Sequence, residues 1–235
     1  VLQRGAVAPV WGWADAGETV TVRFAGQSKT ATANKNGKWM VRLDAINDAT
    51  VKGALTVNGN NTLTIKDVLV GEVWLASGQS NMAMTVGRCR DAEQEKAAAK
   101  FPAIRMFTTQ RRANLEPQTD CAGAWAVCSP ETVNGFSGTA YFFARALHQK
   151  LNVPVGIVHS SWGGTAVEAW TSLDVQAGDK KLTPVFASWK GKLKADRNKP
   201  ANLFNGMIAP ILPYGIRGAI WSQGERHART VDLSK

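Results

Sequence analysis

Cysteine and histidine are both scarce in this chain, with three of each among 235 residues. Cys89, Cys121 and Cys128 contain no Cys-x-x-Cys pair, and no zinc-ligand spacing is present, so no metal site is expected. A Cys121–Cys128 disulfide and unpaired thiols are both compatible with the spacing, so cysteine does not decide the compartment. Long apolar runs are missing too. None approaches the ~20 residues that span a bilayer, and no membrane partner is expected. No leader pattern opens the chain, which starts at Val1-Leu2-Gln3-Arg4 in what reads as a structured segment; upstream residues are expected to have been removed. Acidic residues are outnumbered, 18 against 28 Lys plus Arg, giving a formal charge of +10. Such a surplus steers acidic ligands. Nucleic acid is not the expected one, because no basic helix or RNA-binding signature accompanies the charge. Much of the excess sits in Lys180–Lys199, which reads as a solvated, lysine-rich connection.

What is present begins with enough apolar residues, 44%, to fill one large or two modest cores. Residues 70–84 organise the rest. Val70, Val73, Trp74, Leu75 and Ala76 form a short β-branched and aromatic run of the kind buried inside a parallel sheet. It runs into Ser77-Gly78-Gln79-Ser80-Asn81, where glycine permits a sharp turn and Ser80 falls at the start of the next helix. A hydroxyl there sits at the carboxyl edge of a strand, where α/β folds place their sites. Ser80 is therefore the candidate nucleophile. The plainer role for serine at such a position is a helix N-cap. The pattern is not the lipase nucleophile elbow, since Met82 stands where that motif needs glycine.

Residues 1–68 read as a small β-sandwich: Val7–Trp13, Thr19–Phe24, Lys29–Ala33, Lys38–Leu43, Ala54–Val57 and Asn61–Ile65 are β-rich and separated by turn signals. Residues 69–235 change to strand, loop and helix. Ile104–Thr108, Val155–His159 and Gly218–Trp221 are predicted strands, Asp91–Lys100 and Ser137–Leu151 predicted helices, with Ser137 as a cap. Alternation of this kind gives a parallel sheet with helices on both faces. Two further loops then share the edge that carries Ser80. After Val155–His159 comes Ser160-Ser161-Trp162-Gly163-Gly164-Thr165, and after Gly218–Trp221 comes Ser222-Gln223-Gly224-Glu225. A glycine pair and a glutamine amide supply the N–H donors that a developing oxyanion requires.

These motifs together resemble the sialate O-acetylesterases within the SGNH-type hydrolases. Gly78-Gln79-Ser80-Asn81-Met82 is similar to the nucleophile block. Ser160-Ser161-Trp162-Gly163-Gly164-Thr165 with Glu168-Ala169-Trp170 resembles the second, and Asn205–Pro210 with Gly218–Glu225 the third. Val1–Trp13 resembles the family's N-terminal opening, and Cys128–Thr132 with Phe136–Phe143 its connecting segment. The resemblance implies an SGNH-type, flavodoxin-like α/β sheet and a carbohydrate O-acetylesterase with Ser80 as nucleophile. The backbone N–H of Ser80, one from Gly163 or Gly164, and the Gln223 side chain would form the oxyanion hole. Glu168 and Glu225 would hold loops, and Trp162 and Trp170 would face a sugar or pack the core. No cofactor or metal is implied. The substrate would be an O-acetylated sugar, sialate or acetylated xylan, and the home secreted or periplasmic.

Departures bear on the base. The family usually has tyrosine at Ser222 and Ser-Asn at Arg226-His227, and its Asp-x-x-His block lies beyond Lys235. His227 is a candidate substitute base; His148 and His159 are expected to be structural. A C-terminal segment or a second chain is expected to complete the fold and supply the base. A fragment that binds sugar without turnover is the alternative.

Overall fold

In the computed structural model, residues 1–192 and 194–225 are described. His227, the candidate base, lies outside them.

The N-terminal third is built from β1 (Leu2–Gln3), β2 (Ala8–Trp13), β3 (Thr19–Phe24), β4 (Gln27–Thr32), β5 (Lys38–Leu43) and β6 (Lys52–Asn58), followed by β7 (Thr62–Gly78). β2 pairs with β5, and β4, β3, β6 and the first half of β7 form an antiparallel sheet. Period-two alternation turns Val20, Val22 and Phe24 of β3 and Trp39, Val41 and Leu43 of β5 into one apolar cluster with Leu55, Val68 and Val70.

β7 is a single strand where two were expected. The polar pair Lys66-Asp67 reads as a break, but Asp67 takes φ +56° and the register against β6 shifts between Gly53 and Leu55. A bulge bends a strand without ending it. β7 therefore leaves the antiparallel sheet and enters a second one, and the expected division between residues 68 and 69 falls inside it.

The second sheet is mixed and mostly parallel. It continues through α1 (Ser80–Ala83), α2 (Ala92–Ala98), β8 (Phe101–Thr109), β9 (Gly123–Cys128), α3 (Gly138–Leu151), β10 (Val155–Ser161), α4 (Leu173–Ala177), α5 (Thr183–Ser188) and β11 (Gly218–Ser222). The spatial order is β11-β7-β10-β8-β9, with only β9 antiparallel. β9 was not legible in the sequence: Gly123, Ala124 and Ala126 are weak β-formers, and pairing to β8 fixes them.

Both faces of the central strands are covered, which is why they read as unbroken apolar runs. On one face Ala76, Ile104, Met106, Val155 and Ile157 pack beneath Ala140, Tyr141 and Ala144 of α3. Ser137 caps α3 as expected, accepting from the Ala140 N–H. On the other face Leu75 meets Trp170, Leu203 and Met207, carried by single-turn segments at Val167–Trp170 and Phe204–Ile208 instead of a long helix. Cys89, Cys121 and Cys128 are all free thiols. Burial pushes the Cys128 thiol up to about 11.

Candidate active site

The three loops expected to meet do meet. Because β7, β10 and β11 are parallel neighbours in register, with Gly78 opposite both Ser161 and Ser222, their carboxyl ends emerge side by side. Backbone hydrogen bonds then join them: Gln79 N–H donates to Ser222 O at 2.8 Å, and Trp162 N–H to Gly78 O at 3.1 Å. Gly78 makes the junction possible. Its φ is +125°, and a Cβ there would lie 2.0 Å from the Ser222 carbonyl oxygen, so no other residue fits.

Ser80 opens α1 and is exposed. Gln79, not Ser80, occupies the cap position, and no side chain caps this helix. The N-cap role is therefore not what Ser80 does here; its hydroxyl makes no hydrogen bond within the described residues. Its surroundings are braced on each side. Ser137 Oγ donates to Met82 O at 2.7 Å and Thr139 Oγ1 to Asn81 O at 3.0 Å, so the start of α3 holds α1. The Glu225 carboxylate accepts from the side-chain amides of Gln79 and Asn81, the residues flanking Ser80. A hydrogen bond from its own backbone amide first, and then one from Gln79, outweigh slight burial and, with a smaller contribution from Asn81, hold the Glu225 carboxyl below the ordinary carboxylate value.

Gly163 lies against the nucleophile candidate: a Cβ built there would sit 3.5 Å from both the Cα and Cβ of Ser80. Gly164 is next to it with φ +72°. Gln223 is at the same edge, and its Nε2 donates to Thr165 O at 2.7 Å. That bond uses one of the two amide hydrogens and ties the third loop to the second. Trp162 is half-buried. Trp170 is 4% exposed, packed edge-on against Trp221, with its indole N–H committed to Thr165 Oγ1 at 2.9 Å. It supports the loop from within and offers no open ring face. A cavity of about 680 Å³ lies beyond the same loop, lined by Val167, Glu168, Gln176, Trp189 and Asn198 among others; Ser80 does not line it.

Neither described histidine serves Ser80. His148 Nδ1 donates to Val153 O at 2.7 Å near the end of α3. His159 is buried on β10, shares a 2.6 Å hydrogen bond with Ser161 Oγ, and has Thr108 Oγ1 at 3.5 Å. Burial first, and then the nearby Arg111 charge, lower its pKa from 6.5 to about 4, so it is neutral at pH 7. Among the described residues no cluster of His, Cys, Asp or Glu could hold a metal, and no helix is long and apolar enough to cross a membrane.

Sequence reasoning missed Arg197. Its guanidinium carbon lies 5.9 Å from the ring centroid of Trp162, and its Nη2 lies 4.0 Å from where a Cβ on Gly164 would be. Nothing local in the lysine-rich segment marks it, since only the tertiary fold returns that segment to the second loop.

A mostly parallel α/β sheet thus carries an unengaged serine, a glycine turn and a glutamine amide at one edge, and comparison with known proteins gives the family. The family model described as "Carbohydrate esterase, sialic acid-specific acetylesterase" matches residues 70–235, and the chain belongs to that family. It is similar to the sialate O-acetylesterases of Homo sapiens (34% identical over 96% of this chain and 46% of the relative) and Mus musculus (30% identical over 97% and 50%). In structure it is similar to a carbohydrate acetylesterase from Xanthomonas citri, with a TM-score of 0.85 and 36% identity over 99% of this chain and 50% of that one. The chain thus spans about half the length of the curated relatives it matches.

Proposed function

We propose that this protein is a serine-dependent carbohydrate O-acetylesterase acting foremost on O-acetylated sialate. The observation that carries the reading is Ser80 itself: exposed, free of any capping bond, faced by Gly163 and braced through Gln79 and Asn81 by Glu225. In this reading the Ser80 hydroxyl attacks the acetyl carbonyl. The Ser80 N–H, an N–H of the Gly163–Gly164 turn and the second Nε2 hydrogen of Gln223 receive the oxyanion. The sugar hydroxyl leaves with the proton taken from Ser80. Water then attacks the acetyl-serine, releasing acetate and restoring the hydroxyl.

Serine needs an adjacent base to attack. With His148 and His159 committed elsewhere, we assign that role to a histidine outside the described residues. The candidates are His227, or one supported by aspartate in the length of polypeptide that the relatives carry beyond this match or in a second chain. The chemistry needs no metal or cofactor.

Acetylated xylan is the second substrate reading of the same chemistry. Acetate release from 9-O-acetylated sialate and from acetylated xylan, by the full-length protein and its Ser80→Ala form, tests both. Ser80→Ala is expected to lose about a thousand-fold or more in kcat with the stability unchanged within about 0.5 kcal/mol. Equal rates for the two proteins would reject the nucleophile, and equal rates at the uncatalysed background would favour a sugar-binding protein without turnover.

A further inference from the structure

The lysine-rich segment was expected to be a solvated connection, yet one of its cations sits against the second loop. Arg197 lies over the Trp162 ring at 5.9 Å, on the residue before the glycine turn, and its Nη2 approaches Gly164. Gly163, between these two residues, faces Ser80, whose Cα and Cβ would lie 3.5 Å from a Cβ built there. The guanidinium therefore flanks the same turn that flanks the nucleophile candidate. No carboxylate among the described residues lies within ion-pair distance of it. Two lysines of the same segment point elsewhere: Lys192 Nζ lies over the Trp189 ring at 4.5 Å, and Lys199 Nζ donates to Lys192 O at 2.6 Å. At 5.9 Å the guanidinium is within cation–π reach of the indole, an attraction that favours this placement of Arg197 beside the loop. The N–H edge of a guanidinium matches a carboxylate with two parallel hydrogen bonds.

We infer that Arg197, beside Trp162, is a specificity-determining residue that pairs with the carboxylate of an acidic sugar while the acetyl ester is presented to Ser80. This rests on the esterase reading above. The carboxylate could belong to sialate or to a glucuronate branch on acetylated xylan, since both offer the same planar anion. The position also explains how an otherwise diffuse +10 charge becomes selective. Long-range attraction raises encounter with any anion, whereas one guanidinium at the second loop selects the anion's place on the substrate.

The experiment compares full-length wild type with Arg197→Ala, Arg197→Lys and, as a charge-matched control, Lys194→Ala. The substrates are 9-O-acetylated N-acetylneuraminate, the methyl ester of the same sugar, and acetylated xylo-oligosaccharides with and without glucuronate. Arg197→Ala is expected to raise KM at least ten-fold for whichever carboxylate-bearing substrate is the true one, leaving kcat within about two-fold. Its kinetics on the methyl ester or the uncharged xylo-oligosaccharide should not change, Arg197→Lys should recover part of the loss, and Lys194→Ala should behave as wild type. Binding of N-acetylneuraminate and of glucuronate by titration calorimetry reads the same subsite without turnover. Should no substrate be hydrolysed, a ten-fold weaker affinity of Arg197→Ala for the free acid alone would still uphold the subsite while the esterase reading fails. An Arg197→Ala protein with unchanged KM and unchanged affinity, or with equal losses on charged and uncharged substrates, overturns the inference.

Discussion

Two glycines at the rim behave as opposites because of what a methyl group would meet. At Gly78 it would overlap the Ser222 carbonyl at 2.0 Å with φ at +125°. Gly78→Ala is thus expected to destabilise the fold by about 3 kcal/mol or more, seen as a lower urea midpoint. At Gly163 the same methyl would make an ordinary 3.5 Å contact with Ser80. Gly163→Ala should keep its midpoint within about 1 kcal/mol yet lose on the order of 10–100-fold in kcat/KM, since crowding beside a nucleophile disturbs the approach of the carbonyl. A fold-neutral, activity-neutral Gly163→Ala would count against Ser80 as the reacting residue. Glu225 belongs to the same scale: with Gln79 and Asn81 released by Glu225→Ala, kcat should fall while thermal stability changes little.

Among the elements, β7 matters most, because it joins the antiparallel N-terminal sheet to the parallel one. Its direction is fixed at Glu72, a carboxylate with a 4% exposed side chain that accepts from Arg4 at 2.9 Å, Arg217 at 2.9 Å and Gln3 at 3.2 Å. Burial pushes this carboxyl up, but the bonds from Arg217, Gln3 and Arg4 outweigh it and the pKa ends lowered. β1, β7 and the entry to β11 are thereby pinned at one point. Glu72→Ala leaves two partly exposed guanidinium groups without their shared anion and should cost on the order of 1–2 kcal/mol, measured by chemical unfolding. We propose that residues 1–68 act as a scaffold aiming β7, in which case Glu72→Ala should also lower kcat at temperatures where it stays folded.

At the scale of the whole molecule, His159 sets the expected response to acid. Its folded pKa of about 4 lies below the ordinary 6.5, so as pH falls the unfolded chain takes up the proton first. The stability this residue contributes is full above about pH 6.5 and declines as pH falls toward 4. The melting temperature should drop over that interval, and His159→Gln should flatten the drop. An identical acid profile in the two proteins would show that other groups govern it.

The sequence by itself determined the alternation of elements, most strand positions, the Ser137 cap and the three loop motifs, because periodicity, turn residues and capping chemistry are local properties. It also singled out Ser80, Gly163, Gly164, Gln223 and Glu225, because several ordered motifs together are more specific than any one residue type at a strand end. Only the tertiary structure decided what depends on partners distant in the chain. Pairing to β8 makes Gly123–Cys128 a strand, a bulge opposite β6 keeps β7 continuous through Asp67, and core packing encloses Trp170. The return of the lysine-rich segment to Trp162 is of the same kind: the contact between Arg197 and that ring spans thirty-five positions, and no local rule of propensity or period carries information across such a separation.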